Sequence, residues 1–177
     1  MKFSLKLFST MSFLLFGVTN TLAAAKDPNL AHAKLKSPTM KHLEAHVLIS
    51  QTDKGVKIVT DVSGLKPGSV HGFHIHEKGE CKGPDFKSAG DHYNPNKHPH
   101  NAPAAAIKHV GDMGNLVAND KGVARTEVLI PDANKEDIKS MIGKAVIIHD
   151  RPDDLTSQPA GDSGDRIACG LIQAGKM

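Results

Sequence analysis

Tryptophan is absent from this 177-residue chain, tyrosine occurs once, and aromatic residues make up 4% of it. Few of its hydrophobic residues are therefore aromatic, which excludes a core built on stacked rings. The core must be aliphatic, built on Val, Ile and Leu. Cysteine is nearly as rare, with only Cys81 and Cys169. Two cysteines 88 positions apart lack the close spacing of a cysteine zinc site. There is no basic cluster interleaved with aromatics and no internal repeat. GDSGD at 161–165 lacks the Lys-Ser/Thr ending and the following helix of a phosphate loop. The length fits one domain with a processed end.

The longest apolar run opens the chain, in MKFSLKLFSTMSFLLFGVTNTLAAAKDPN. Lys2 and Lys6 precede a mostly apolar stretch over 7–18, and Ala23-Ala24-Ala25 is a small-residue cleavage site. This is the pattern of a secretory leader over 1–25, with an uncleaved membrane anchor as the weaker alternative. No cysteine near the cleavage point could carry a lipid. Removing 1–25 takes away two lysines and no acid, so the formal charge falls from +3 to +1. Nothing then argues for nucleic acid as a partner, or for the membrane after cleavage. Export would place Cys81 and Cys169 where a disulfide persists. Closing so long a loop is worth roughly 4–5 kcal/mol by chain entropy. Two free thiols or a metal-binding pair are the alternatives.

Glycine (16) and proline (10) are plentiful, which suits many turns. Residues 26–41 are polar and weakly patterned, an arm or a weak first strand. Beyond them, 42–177 reads as one domain of short strands: 42–50, 56–62, 69–76, 109–119, 123–130, 144–150 and 166–172. In the second, Val56, Ile58, Thr60 and Val62 share a face by period-two alternation. PDANKEDIKSMIG (131–143) reads as a loop with a short helical turn. The fold class is all-β, a Greek-key β-sandwich or flattened barrel of immunoglobulin-like build with about seven or eight strands. Two long loops, near 77–108 and 151–165, are of a length that is usually functional or disordered.

Histidine is what the chain has in excess, with 11 copies. HGFHIHEKGEC (71–81) holds three of them. On a strand, His74 and His76 point to one face, and His71 to the other. Two imidazoles are an incomplete set of ligands for zinc or copper. Downstream lie His92, His98, His100, His109, Asp112 and His149, enough donors for two ions.

HGFHIHEKGEC, SAGDHYNP, HVGDMGN, IIHDRPDD and GDRIACGLI resemble, in that order, the motifs of the copper/zinc superoxide dismutases. The resemblance covers roughly 45–172. It implies one copper and one zinc per subunit. By resemblance, His74, His76 and His149 bind copper alone and His92 bridges both metals. His109 and Asp112 bind zinc, together with His98 or His100. His100 lies eight residues after the bridge and nine before His109, which fits the family's spacing; His98 does not. Cys81 and Cys169 match the family's intrasubunit disulfide, and Arg166 its arginine beside copper. Asp153 matches a carboxylate linking His74 to His100, and His71 a bracing residue that binds no metal.

The implied activity is dismutation of superoxide to oxygen and hydrogen peroxide by copper cycling between Cu(II) and Cu(I). Zinc would be structural and would tune His92; Arg166 would attract the anion. The implied setting is the periplasm, with a homodimer as one assembly the family adopts. Two rival readings remain: a non-catalytic copper/zinc-binding or copper-delivery protein on the same fold, and a zinc-sequestering protein using His32, His42, His46 and His98. The stretch between His149 and Arg166 departs from eukaryotic members. It has 16 residues and carries Asp153, Asp154, Asp162 and Asp165 against one Arg151. Weak steering of superoxide, and so a weak salt dependence, is expected.

Overall fold

A computed structural model describes residues 27–131, 133 and 135–177; the expected leader at 1–25 lies outside them. In chain order the elements are β1 (Leu30–Leu35), β2 (Glu44–Thr52), β3 (Gly55–Ser63), β4 (Val70–His76), β5 (Asp112–Val117), β6 (Ala124–Pro131), α1 (Lys135–Met141), β7 (Ala145–His149), β8 (Arg166–Leu171) and β9 (Gln173–Ala174). One sheet is ordered β6-β3-β2-β1-β9 and the other β5-β4-β7-β8. Every ladder is antiparallel. Beyond the end of β1, Lys36 pairs with Cys169 of β8 through two backbone hydrogen bonds of 2.9 and 3.0 Å. That bridge joins the sheets at one side and gives the sandwich its flattened-barrel form.

Nine strands form where seven or eight were expected. The extra two are β1 and the two-residue β9. β1 alternates in burial, with Ala31, Ala33 and Leu35 inside and Lys34 outside. Two of its three inward residues are alanines, too small for the pattern to stand out in a polar stretch. The strand expected from 109 begins only at Asp112, because a turn closed by Asp112 N–H to His109 O (3.2 Å) comes first. No helix among the described residues is long and apolar enough to cross a membrane.

Strand β3 buries Val56, Ile58, Thr60 and Val62, as its alternation predicts. A sandwich strand normally leaves its other face to solvent. β4 and β7 do not: His71 to His76 and all of Ala145–His149 are buried. Their inward residues Phe73, Ile75, Val146 and Ile148 belong to the aliphatic core between the sheets. On the outward face, Ala145 and Ile147 pack with Phe86, Ala89 and Cys169 in a second, smaller core. The loop after β4 therefore folds back over the outer face of its own sheet. The Cys81–Cys169 disulfide ties it there. His74, His76 and His149 sit in the layer between sheet and loop.

Candidate metal centre

Backbone hydrogen bonds bring distant histidines beside β4. Tyr93 N–H donates to Ile75 O (2.8 Å), Ile75 N–H to Gly111 O (2.9 Å), and Gly111 N–H to Tyr93 O (2.9 Å). Position 111 must be glycine for this lacing, since a Cβ there would collide with Ile75 O and lie 3.0 Å from Tyr93 N. His92 and Asp112, next to laced residues, and His109, two residues before Gly111, are thereby carried to the face that holds His74 and His76.

Four imidazoles then converge with one nitrogen each left over. His74 uses Nε2 on Asp153 Oδ2 (2.8 Å). His76 donates from Nδ1 to Gly90 O (2.9 Å), and His149 from Nδ1 to Gly164 O (3.3 Å). His92 has Nδ1 beside Asp112 Oδ1 (2.9 Å). The opposite nitrogens, His74 Nδ1 and Nε2 of His76, His92 and His149, are buried and have no hydrogen-bond partner. The four residues offer ligand atoms that lie within 4.8 Å of one another. A single orphaned polar atom costs roughly 1–3 kcal/mol, so four aimed at one point call for a cation. Burial lowers His74 to about 4 and His149 to about 3, and holds His76 well below its ordinary value. All three are neutral at pH 7, the state a metal requires.

The second set is His92, His100, His109 and Asp112. Asp112 Oδ1 lies 2.9 Å from His92 Nδ1, 2.9 Å from His100 Nδ1 and 3.2 Å from His109 Nδ1. His109 Nδ1 is 3.4 Å from His92 Nδ1. A tetrahedron with metal–ligand bonds of about 2.0 Å has edges of about 3.3 Å, so these spacings suit zinc. The four nitrogens of the first set suit copper. Burial works to raise Asp112, but hydrogen bonds from His100 and His92 and from the Asn101 N–H hold it far below the carboxylate range. Its Oδ2 also accepts from His109 N–H (2.9 Å). His92 alone belongs to both sets, with Nε2 toward one and Nδ1 toward the other.

Asp153 lies between the sets, accepting from His74 Nε2 and from His100 Nε2 at 3.0 Å. Its backbone is clamped by Asn115, which donates to Asp153 O and accepts from its N–H, both at 2.8 Å. Gln158 holds the backbone of His100 in the same two-sided way, at 2.9 Å each. His71 is buried off the metal face, with Nδ1 donating to His149 O (2.7 Å) and Nε2 2.8 Å from Ser69 Oγ. His98 stays outside both sets, its ring on Lys108 O (3.2 Å). Sequence reasoning missed Asn115, Gly90, Gln158 and Gly161. Asn115 and Gly90 fall inside the quoted motifs HVGDMGN and SAGDHYNP. Gln158 carries no signal at all, and Gly161 sits in a segment noted only as not being a phosphate loop.

A cleft of about 760 Å³ opens over His76, His92 and His149. Arg166 borders it, donating to Phe86 O (2.8 Å) and Gly90 O (2.7 Å). Gly90 O thus serves both His76 and Arg166. Arg151 also lines the cleft but is paired with Asp162 at 3.0 Å.

An all-β sandwich with two buried donor sets sharing one imidazole defines a class of binuclear metalloprotein. The family model for copper/zinc superoxide dismutase matches residues 43–172. The protein named "Superoxide dismutase [Cu-Zn] 2" of Aquifex aeolicus (strain VF5) is 40% identical over 169 residues, covering 92% of this chain and 98% of that one. "Superoxide dismutase [Cu-Zn] 1" of the same organism is 44% identical over 128 residues, covering 70% and 76%. Among solved structures, that of the clock protein EA4 superposes with a TM-score of 0.70 at 33% identity, covering 82% of this chain and 94% of that one. This chain belongs to the copper/zinc superoxide dismutase family.

Proposed function

We infer that the chain is a superoxide dismutase dependent on copper and zinc, an oxidoreductase that converts superoxide to molecular oxygen and hydrogen peroxide. The observation that carries this is the convergence of four partnerless buried imidazole nitrogens, one of them on a histidine shared with a zinc-like set. His74, His76, His149 and His92 Nε2 would hold copper; His92 Nδ1, His100, His109 and Asp112 would hold zinc. When bound, copper supplies a one-electron couple that zinc lacks, so one superoxide is oxidised to oxygen and another, reduced with two protons, leaves as hydrogen peroxide.

The chain's own groups do the rest. Asp153 accepts from His74 Nε2–H and so presents Nδ1 as the ligand atom. His92 Nε2 is the atom at which the chain can hold a proton, since Nδ1 keeps the ring in place from the other side. Arg166 contributes a charge that does not deprotonate, fixed in direction by two carbonyls at the cleft where the anion enters. The non-catalytic reading is weaker, because no ligand position and no arginine is missing.

His149→Ala should lose copper and superoxide removal while zinc content and fold survive. Superoxide decay followed by pulse radiolysis and metal content per chain read this directly. Unimpaired activity in the variant, or no activity in wild type loaded with one copper and one zinc, overturns the reading.

We place the protein in the periplasm, with 1–25 removed and 42–177 as the working domain. The leader pattern supports this, and so does the Cys81–Cys169 disulfide, which persists where conditions are oxidising. N-terminal sequencing of the fractionated protein checks it. A homodimer is the assembly to look for from the family resemblance, and sedimentation reads it.

A further inference from the structure

A second cleft lies where β8 meets β1 and β2, shares no lining residue with the cleft over the metal centre, and measures about 830 Å³. His32, His46, Met177, Lys34, Lys36 and Cys169 line it. His32 and His46 are two histidines that the bridged metal centre does not use. They stand on the outer face of β1 and β2, where His46 is registered opposite Lys34, two residues along from His32.

The C-terminal segment crosses this face with a histidine at each end. Gly175 N–H donates to Leu30 O (2.8 Å), and Gly175 O accepts from His32 Nδ1 (2.9 Å). Two residues later, Met177 Sδ lies 3.1 Å from His46 Nδ1. The first contact fixes the tautomer of His32 and leaves Nε2 with a free lone pair, the arrangement usual for a metal-binding histidine. In the second, a thioether is only a weak hydrogen-bond acceptor, whereas thioether and imidazole together are good donors to a soft cation.

We propose that His46 and Met177, with His32 beside them, form a binding site for a soft monovalent cation of the copper(I) class, separate from the two-metal centre. Charge selects the ion. The lining holds Lys34 and Lys36 and no Asp or Glu side chain. The donor groups, two imidazoles and a thioether, carry no negative charge, so nothing in the cleft offsets a second positive charge. Zinc(II), whose usual ligands are Cys, His, Asp and Glu rather than Met and which carries twice the charge, is disfavoured on both counts.

Silver(I) is a redox-inert probe of this chemistry. The experiment titrates it, without chloride, into protein carrying its copper and zinc. Bound silver and released copper are measured after gel filtration, and the methionine methyl groups are followed by NMR. Wild type should bind one silver per chain without releasing copper, and the Met177 methyl, assigned from Met177→Leu, should shift. Loss of an outer partner of a metal ligand costs roughly 10–100-fold in affinity. Loss of a donor itself, in Met177→Leu or His46→Gln, should cost at least as much. Unfolding midpoints show that both variants are folded. Equal silver uptake in the variants, an unmoved Met177 methyl, silver that only replaces released copper, or an equal shift with zinc(II) would each overturn the proposal.

Discussion

Zinc uptake by the metal-free protein should release about one proton at pH 7, and His100 is the reason. Its ring is wedged between carboxylates, Nδ1 at 2.9 Å from Asp112 Oδ1 and Nε2 at 3.0 Å from Asp153 Oδ1. Burial acts against a charge there, yet the hydrogen bonds to Asp112 and Asp153 prevail and raise its pKa to about 9. A metal at Nδ1 needs the lone pair that this proton occupies. At pH 7 the ring lies about two units below its pKa, so apparent zinc binding is about 100-fold weaker than above pH 9. His109 adds little proton competition, because burial lowers it, and Asp112 is held ionised. The logarithm of the apparent constant should therefore rise by about one per pH unit between 6.5 and 9. Calorimetric titration of stripped protein in buffers of different ionisation enthalpy counts the proton. No release at pH 7, or a flat profile, refutes the wedge. Asp153→Asn removes one carboxylate from the ring and should move the end of the slope to lower pH.

The same groups set the stability of the metal-free fold. A histidine raised from 6.5 to about 9 stabilises fully below 6.5, and that contribution is lost as pH rises through 9. His74 and His149, lowered mainly by burial to about 4 and about 3, act in the opposite sense. Their contribution is present above 6.5 and is lost as pH falls through those values. Thermal unfolding of the stripped protein should peak near pH 6.5; a midpoint that climbs steadily to pH 9 contradicts the assignment.

Three further outcomes are expected. His71→Gln should keep a full copper complement, since His71 touches His149 only through its backbone carbonyl, while stability falls by roughly 1–3 kcal/mol if that bond is lost; copper loss would make His71 more than a brace. Gly161→Ala should weaken zinc retention against a chelator roughly 10–100-fold. Gly161 has φ +67°, and a Cβ there would collide with Asp153 Oδ1 and sit 2.7 Å from His100 Nε2; unchanged zinc retention would show that Asp153 does not support the site. Asp162→Asn should release Arg151 and remove a negative charge from the cleft mouth, raising the rate about twofold at low salt and much less at 0.5 M or so. A rate that falls would mean the pair orders the loop instead.

Much of the centre was legible in the sequence because its signals are local. His74 and His76 share a face by strand period, and β4 obeys it. The family resemblance, by its spacing on both sides of the position, implied His100 and not His98, and of the two only His100 lies in a donor set. The turn before Asp112 was not legible as a turn, since VGDMGN reads as a weak strand until Gly111 is seen laced to Ile75 and Tyr93. β1 was hidden because alanines carry little hydrophobic signal. Gln158 and Gly161 were missed because their partners, His100 and Asp153, are distant or depend on loop shape. Main-chain partners such as Gly90 O leave no trace of chemistry in a side chain.

Metal binding and the fold of the outer layer depend on one another through a few shared atoms. Gly90 O holds both His76 and Arg166, so a shift in the loop that carries it turns the His76 ring and moves the Arg166 guanidinium together. That loop is kept on the sheet by a core of only a few residues, Phe86, Ala89, Ala145, Ile147 and Cys169, and by the Cys81–Cys169 bond. So small a core gains little from burial; the rest of the hold comes from the disulfide, from Arg166 on Phe86 O and Gly90 O, and from the N–H groups of Glu77 and Lys78 on Asp91 O and Ala89 O. Opening the disulfide should then loosen His76 and Arg166 before it disturbs the core between the sheets, where Phe73, Ile75, Val146 and Ile148 pack among residues of both sheets. The centre is therefore expected to fail locally, as loss of copper and of anion attraction, while the sandwich remains folded.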